Sequence, residues 1–222
     1  MTALTVLWYN VTMLFKSFSE KINTTLGRLS PARRIFLSFA LVILAGSLLL
    51  SLPFVQATSS QATYFDHLFT AVSMVCVTGL FTQPVATTYN IWGQLICMFL
   101  IQIGGLGLMT FIGVFYIQSK QKLSLRSRET ILESFSYGET HSLMVFIRSI
   151  FLTTFIVEGL GAFLLSFRFV PEFGWGRGIF TSIFVAISAF CNAGFDNFGS
   201  TSLVAFQTDP LINLVLAALI IT

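Results

Sequence analysis

Apolar segments of two lengths alternate along this chain, and this alternation is what most limits the folds open to it. Residues 35–55 are apolar over the ~20 residues that a helix needs to cross a bilayer, and residues 91–117 are apolar over a greater length. Between them, residues 65–76 cover only about half of a crossing length, and a glycine, Gly79, follows. The pattern predicts a helix, a half-helix that enters the membrane and returns, and a second helix.

The same unit occurs a second time. Residues 141–167 repeat the outer helix, residues 178–191 repeat the half-helix, and residues 209–222 begin another crossing helix. Pro53 and Pro171 fall at similar places before the two half-helices. We therefore predict an all-α polytopic membrane protein with two repeats of helix, re-entrant pore half-helix plus loop, and helix, the last helix being truncated.

The composition agrees with a membrane location. Of the 222 residues, 55% are hydrophobic and only 9% are charged, which argues against an ordinary soluble domain and against nucleic-acid binding. Cys76, Cys97 and Cys191 all lie inside apolar segments, so a disulfide framework is not expected. No histidine accompanies them at a metal-ligand spacing, and small apolar packing is their expected role.

The basic residues predict the orientation of the chain. Only Arg168 and Arg177 fall on one side of the membrane, and the other side, which holds the remaining basic residues, is predicted to be cytoplasmic. The predicted parts are a cytoplasmic N-terminal segment (1–32), a first repeat (33–118), a cytoplasmic basic loop (119–140) and an incomplete second repeat (141–222). The basic loop sets the topology, and docking of a regulatory subunit or of anionic lipid headgroups is its alternative role.

A motif of the form S-x-x-C-x-x-G closes each half-helix. It runs from Ser73 to Gly79 and again from Ser188 to Gly194, so the two glycines are 115 residues apart (194 − 79). Glycine allows a strand to aim its carbonyl oxygens at a dehydrated cation, and the negative end of a half-helix dipole favours a cation there. The predicted cation-binding backbone groups are those of Val77, Thr78, Gly79, Asn192, Ala193 and Gly194.

A cluster of glycines lies at mid-membrane depth in the helix predicted for residues 91–117. Its members are Gly104, Gly105 and Gly107. Glycines at such a depth permit either the close approach of a neighbouring helix or a bend that acts as a gate or hinge. The sequence leaves both interpretations open.

Two acidic residues are candidate functional groups. Glu158 lies inside the second outer helix, where a carboxylate ordinarily faces a partner or a cavity. It is predicted either to pair structurally with a basic residue or to act directly near the pore. Asp196 lies two residues beyond Gly194 at the predicted outer mouth, where it either concentrates cations or is an exposed acid without a role. Asp66 and Asp209 are interpreted as solvated.

Three stretches resemble the Ktr/Trk family of potassium-uptake proteins: VCVTGL at residues 75–80, QIGGLGLMTF at residues 102–111 and FCNAGFDN at residues 190–197. The resemblance implies that four such units surround one pore, with Gly79 and Gly194 as glycines of the ion filter. It also implies potassium uptake across the plasma membrane, a homodimer in membrane lipid, and a cytoplasmic nucleotide-binding regulatory subunit. Potassium is then the expected bound metal ion, and sodium is a candidate coupling or activating ion.

Only two filter loops occur in this chain, so we expect a fragment of a four-repeat protein whose uptake is driven by the membrane potential. Two alternatives stay open: a pathway for another monovalent cation, such as sodium or ammonium, and a non-conducting membrane interaction protein. An enzyme is not expected, because Glu158 has no companion nucleophile, carboxylate or metal ligand in the sequence pattern.

Overall fold

The computed structural model describes residues 31–107 and 140–222. Most of the predicted N-terminal segment (1–32) and of the basic loop (119–140) lies outside the described residues, as do residues 108–117 of the predicted second helix. The described helices are α1 (Pro31–Leu50), α2 (Tyr64–Val75), α3 (Val85–Thr88), α4 (Ile91–Leu106), α5 (Thr140–Phe173), α6 (Trp175–Phe190) and α7 (Pro210–Ile221), with short 3-10 helices at Pro53–Val55 and Ser202–Phe206. Within these ranges the fold is all-α apart from one isolated bridge between Gln56 and Tyr89, which confirms the predicted class.

Helix α4 joins the two halves of the described structure. It packs against α1 and α2 on one side and against α6 on the other, whereas α5, α6 and α7 pack against one another. The larger apolar core accordingly combines side chains of α2 and α4, such as Met74 and Ile101, with Phe184 of α6 and with Ala193 and Phe195 of the loop after it. The second loop is therefore part of the same core as the first half-helix.

Helix α5 carries the longest apolar surface in the described part of the chain. Its stretch from Arg148 to Phe173 is long and apolar enough to cross a membrane, whereas the other apolar helices described have 10–17 residues. Large apolar side chains on α5 are exposed, namely Leu152, Phe155, Ile156, Leu160, Phe163, Leu164 and Phe167. So extensive an apolar surface on one helix is typical of contact with lipid.

The second helix of the first half begins at a capping side chain that also ties it to the preceding segment. The Asn90 side-chain oxygen accepts hydrogen bonds from the N–H groups of Trp92 and Gly93 at 2.9 and 3.2 Å. Its amide nitrogen donates to the carbonyl oxygens of Phe54 and Gln56 at 2.6 and 3.2 Å. One polar residue thus starts α4 and holds it against the chain that follows α1.

Asp209 has the same position at the start of α7, and its interpretation as a solvated residue is wrong. Its carboxylate accepts hydrogen bonds from the N–H groups of Leu211 and Ile212 at 3.0 and 3.2 Å. It also forms an ion pair with Arg168 near the end of α5, at 2.5 Å between Nη2 and Oδ2. The carboxylate is buried because a helix N-terminus and a cation from an adjacent helix both surround it.

Asp66 is likewise more than a solvated acid. It lies in the first turn of α2, where its Oδ2 accepts hydrogen bonds from the N–H and the hydroxyl of Thr63, both at 2.7 Å. Its Oδ1 accepts from the Thr82 hydroxyl, also at 2.7 Å. The residue therefore caps α2 and ties its beginning to the loop that follows the half-helix.

Two helix boundaries differ from the prediction. Helix α5 continues through Pro171 to Phe173, because a proline near the end of a helix breaks only one late hydrogen bond. Helix α4 ends at Leu106, and Gly107, with φ of 77°, is its C-cap, whereas the sequence predicted a continuous helix over residues 91–117. A glycine in the left-handed region is the usual way in which a helix ends.

We expect Asp209→Ala to lower the free energy of unfolding by about 1 kcal/mol through loss of the helix cap, and Asp209→Asn to lower it less, because asparagine also caps helices. Thermal unfolding of the purified protein in detergent measures both. Equal losses for the two variants would show that the ion pair, and not the cap, is the stabilising interaction.

Candidate functional site

The candidate site begins where α2 ends. The N–H of Val77 donates to the carbonyl oxygen of Met74 at 3.2 Å, and that of Thr78 donates to the carbonyl oxygen of Ser73 at 2.8 Å. These hydrogen bonds turn the chain out of the helix and start the loop that contains the first predicted cation-binding residues. Cys76 is the C-cap of the helix.

The loop after α6 has the same hydrogen bonds. The N–H of Asn192 donates to Ala189 at 3.0 Å, and that of Ala193 donates to Ser188 at 2.8 Å, in both cases to the carbonyl oxygen. Each donor and each acceptor lies 115 residues after its counterpart in the first loop, the same spacing that separates the two glycines. Cys191 is the C-cap here.

Both loops place every second residue in the left-handed region. The φ angles are 53° at Val77 and 78° at Gly79 in the first loop, and 55° at Asn192 and 70° at Gly194 in the second. Glycine adopts such angles freely, but a β-branched residue such as Val77 is strained there by about 1–3 kcal/mol. Backbone strain of this kind is concentrated at functional sites.

The two loops meet at their glycines. A Cβ atom added to Gly79 would lie 2.8 Å from the carbonyl oxygen of Ala193 and 3.5 Å from the Cα of Gly194. A Cβ added to Gly194 would likewise lie 3.5 Å from the Cα of Gly79. The structure therefore brings the two predicted sets of backbone groups together, and a carbonyl oxygen of the second loop lies against the first.

Sequence reasoning gave no role to the serine that begins each motif. The Ser73 hydroxyl oxygen accepts a hydrogen bond from the N–H of Leu80 at 2.9 Å, and that of Ser188 accepts from Phe195 at 2.8 Å. The recurrence of serine six residues before the glycine in both copies was the signal that could have found them.

Two glycines of the cluster on α4 lie against these loops. A Cβ added to Gly104 would approach the carbonyl oxygens of Val75 and Met74 to 2.6 and 2.7 Å, at the C-terminal end of α2. A Cβ added to Gly105 would overlap the side chain of Cys191. Both glycines therefore allow α4 to contact the two half-helix ends, which is the close-packing interpretation of the cluster.

The third glycine of the cluster differs from its neighbours. Gly107 has no atom within 4 Å of the place where a Cβ would be, and its φ of 77° ends α4. Its backbone conformation, and not a close contact, calls for glycine at this position. A role of Gly107 as a hinge stays a prediction.

Glu158 has a partner, but not the basic residue that the sequence suggested. Its Oε1 accepts a hydrogen bond from Nε2 of Gln102 on α4 at 2.9 Å, and the two residues are only 4% and 7% exposed. The Cys191 thiol lies 3.9 Å from Oε1 of the same glutamine. A buried polar contact therefore joins α4, α5 and the residue that precedes Asn192, and a partner 56 positions away in the sequence gave no local signal.

Asp196 is half-buried and bonded within its own loop. Its Oδ1 accepts from the N–H of Phe198 at 3.0 Å, and its Oδ2 accepts from the Ser202 hydroxyl. These bonds hold the segment after Gly194, and attraction of cations by Asp196 stays a prediction. Among the described residues, no group of three or more His, Cys, Asp or Glu side chains could hold a metal ion.

We expect Glu158→Gln to keep the contact with Gln102, because the new amide oxygen still accepts a hydrogen bond. Glu158→Ala leaves the glutamine amide unpaired and should lower the free energy of unfolding by about 1–3 kcal/mol. Thermal unfolding and ion uptake are to be measured for both. A stable Glu158→Gln protein that has lost uptake would favour the alternative in which the charge itself acts near the pore.

Comparison with known proteins places these residues among cation transporters. Residues 30–222 match the TrkH family, described as a cation transport protein. The chain is 43% identical over 194 residues to the potassium/sodium uptake protein NtpJ of Enterococcus hirae, a match that covers 87% of this chain and 43% of that protein. It is 37% identical over 195 residues to the Ktr system potassium uptake protein B of Bacillus subtilis, covering 88% of this chain and 43% of that protein.

A third relative is the Ktr system potassium uptake protein B of Vibrio alginolyticus, 39% identical over 189 residues, with 85% of this chain and 41% of that protein covered. The chain thus spans less than half the length of each of these relatives.

Proposed function

This chain belongs to the TrkH family of cation transport proteins, and from that membership we propose that it takes potassium ions up across the cell membrane through a pore lined by the loops after α2 and α6. The resemblance of its motifs to Ktr/Trk proteins is confirmed. The relatives are transporters, which points away from catalysis. The membrane potential, worth ~2.3 kcal/mol per charge per 100 mV, drives the ion inward.

The observation that carries this proposal is the meeting of two loops with one hydrogen-bond pattern at Gly79 and Gly194. A cation that leaves water must exchange its hydration shell for protein oxygen atoms, and backbone carbonyls supply them without a charged side chain. Left-handed residues that alternate with ordinary ones allow successive peptide groups to present the same end on one side of the strand. The carbonyl of Ala193, directed at the first loop, fits this arrangement.

The pore is completed by further loops of the same kind. Two strands cannot surround an ion, and the chain spans 43% of the length of two of its relatives. Helix α2, with 12 residues, is about 18 Å long and cannot cross a ~30 Å hydrocarbon core, so it enters and returns. The chain supplies two of four repeats in this proposal, residues 33–118 and 141–222.

The proposal extends to the orientation and partners of the protein. The N-terminus is cytoplasmic, because the basic residues of segments 1–32 and 119–140 favour that side. Two copies form a dimer in the membrane. The relatives that are named as parts of a Ktr system support a further partner, a cytoplasmic nucleotide-binding regulatory subunit.

A second candidate ion is sodium, either carried in place of potassium or needed for coupling or activation. The relative from Enterococcus hirae is named a potassium/sodium uptake protein, and it is 43% identical to this chain. An ammonium pathway and a non-conducting interaction protein are separated from both by direct measurement of flux.

The test uses the whole gene product that contains these residues, expressed in bacteria that lack their own potassium uptake. We expect wild-type cells to take up potassium with preference over sodium. Gly79→Ser should lower this preference by about tenfold or more, because a side chain at a φ of 78° is strained and would meet the Ala193 carbonyl. Initial uptake rates with potassium and sodium in competition provide the measurement.

Gly159→Ser is the matched control, since Gly159 lies in helix α5 with nothing within 4 Å of the added Cβ. It should leave the preference unchanged. Equal uptake of both ions by the wild type would favour the sodium alternative. Absence of any flux in a folded, membrane-inserted protein would favour the non-conducting one.

A further inference from the structure

Each motif serine holds its loop through two hydrogen bonds. The main-chain carbonyl oxygen of Ser73 accepts from the N–H of Thr78 at 2.8 Å, and its hydroxyl oxygen accepts from the N–H of Leu80 at 2.9 Å. The two N–H groups belong to alternate peptide units of the loop. Both are therefore directed back at one residue of α2.

These two bonds determine where the neighbouring carbonyl groups point. In a planar trans peptide unit the N–H and the C=O point in opposite directions. The N–H of Thr78 shares a unit with the carbonyl of Val77, and the N–H of Leu80 shares one with the carbonyl of Gly79. Ser73 consequently turns both carbonyl groups to the side of the loop that faces away from itself.

The second loop repeats the arrangement. The carbonyl oxygen of Ser188 accepts from the N–H of Ala193 at 2.8 Å, and its hydroxyl accepts from that of Phe195 at 2.8 Å. The carbonyl groups of Asn192 and Gly194 are directed in the same way. Two copies with the same bonds are independent examples of one device.

Burial makes the serine hydroxyl hard to replace. Ser73 and Ser188 are only 3% and 2% exposed, so bulk water does not reach the loop N–H groups in their place. Of the two bonds, only the hydroxyl bond depends on the side chain. Removal of the hydroxyl leaves the Leu80 or Phe195 N–H without an acceptor, and the peptide unit that contains the glycine carbonyl becomes free to rotate.

We propose that the hydroxyl groups of Ser73 and Ser188 are positioning groups for the ion filter, which fix the carbonyls of Gly79 and Gly194 toward the ion and so set the preference for potassium over sodium. This inference rests on the proposed function. It separates the two carbonyls that each serine controls: the one at Val77 or Asn192 keeps its main-chain bond in an alanine variant, and the one at the glycine does not.

The test measures competitive potassium and sodium uptake for Ser73→Ala and Ser188→Ala in the whole gene product. Each variant should lower the preference for potassium by about tenfold and change the maximal uptake rate less. Ser73→Thr and Ser188→Thr keep the hydroxyl and should retain the preference. The matched control is Ser182→Ala, a buried serine of α6 whose hydroxyl donates to the Gly178 carbonyl within the helix and does not reach the loop.

A second measurement does not depend on transport. Potassium should raise the unfolding temperature of the purified wild-type protein more than sodium does, because a ligand that binds the folded state stabilises it. In the two serine-to-alanine variants this difference between the ions should shrink, whereas in Ser182→Ala it should persist. This readout also serves if a threonine variant fails to fold, since alanine removes atoms and adds none.

The outcomes distinguish the two proposals. If Gly79→Ser lowers the preference and the serine-to-alanine variants do not, the role of the serines is wrong and the filter stands. If neither change affects the preference, the proposed filter itself is wrong. If Ser182→Ala lowers the preference as much as Ser188→Ala, the effect is a general loss of stability of α6 and the inference is overturned.

Discussion

The need to satisfy backbone N–H groups where the chain leaves a short helix governs the whole arrangement. In an apolar environment no water compensates an unpaired peptide group, so a chain that ends a helix there must find acceptors within itself. Each loop finds them in the last turns of the helix that it has just left. The left-handed conformations of Val77 and Asn192 cost about 1–3 kcal/mol each, and the hydrogen bonds that require them help to offset that cost.

Helix α4 makes the two loops into one site. Its consecutive glycines lie against the end of α2 and against Cys191 at the end of α6, and one turn earlier Gln102 bonds to Glu158 of α5. A single helix thus sets the separation of both half-helix ends. The polar contact is not repeated, since the positions 115 residues from Gln102 and Glu158 hold Ala217 and Ile43. The repeated part of the structure is the pair of loops, and the connection between them is specific to this interface.

Much of the helical architecture could be predicted from the sequence. The half-helices predicted over residues 65–76 and 178–191 are observed at Tyr64–Val75 and Trp175–Phe190, because apolar runs and the residues that interrupt them are local signals. The misjudged residues have distant partners. Asp209 is buried by Arg168, 41 positions earlier, and Glu158 is bonded to Gln102, 56 positions earlier. Local patterns carry no information about which side chain a folded chain brings to a buried acid.

The sequence by itself determined the content of each loop. The spacing of serine, cysteine and glycine is a local property, and it specifies which backbone groups the serine can reach once the helix ends. Only the tertiary structure decided that Gly79 faces Gly194 and that Gly104 and Gly105 lie against the two half-helix ends. Those contacts join residues far apart in the chain, and they exist because close packing of α2, α4 and α6 leaves no room for a side chain at these glycines.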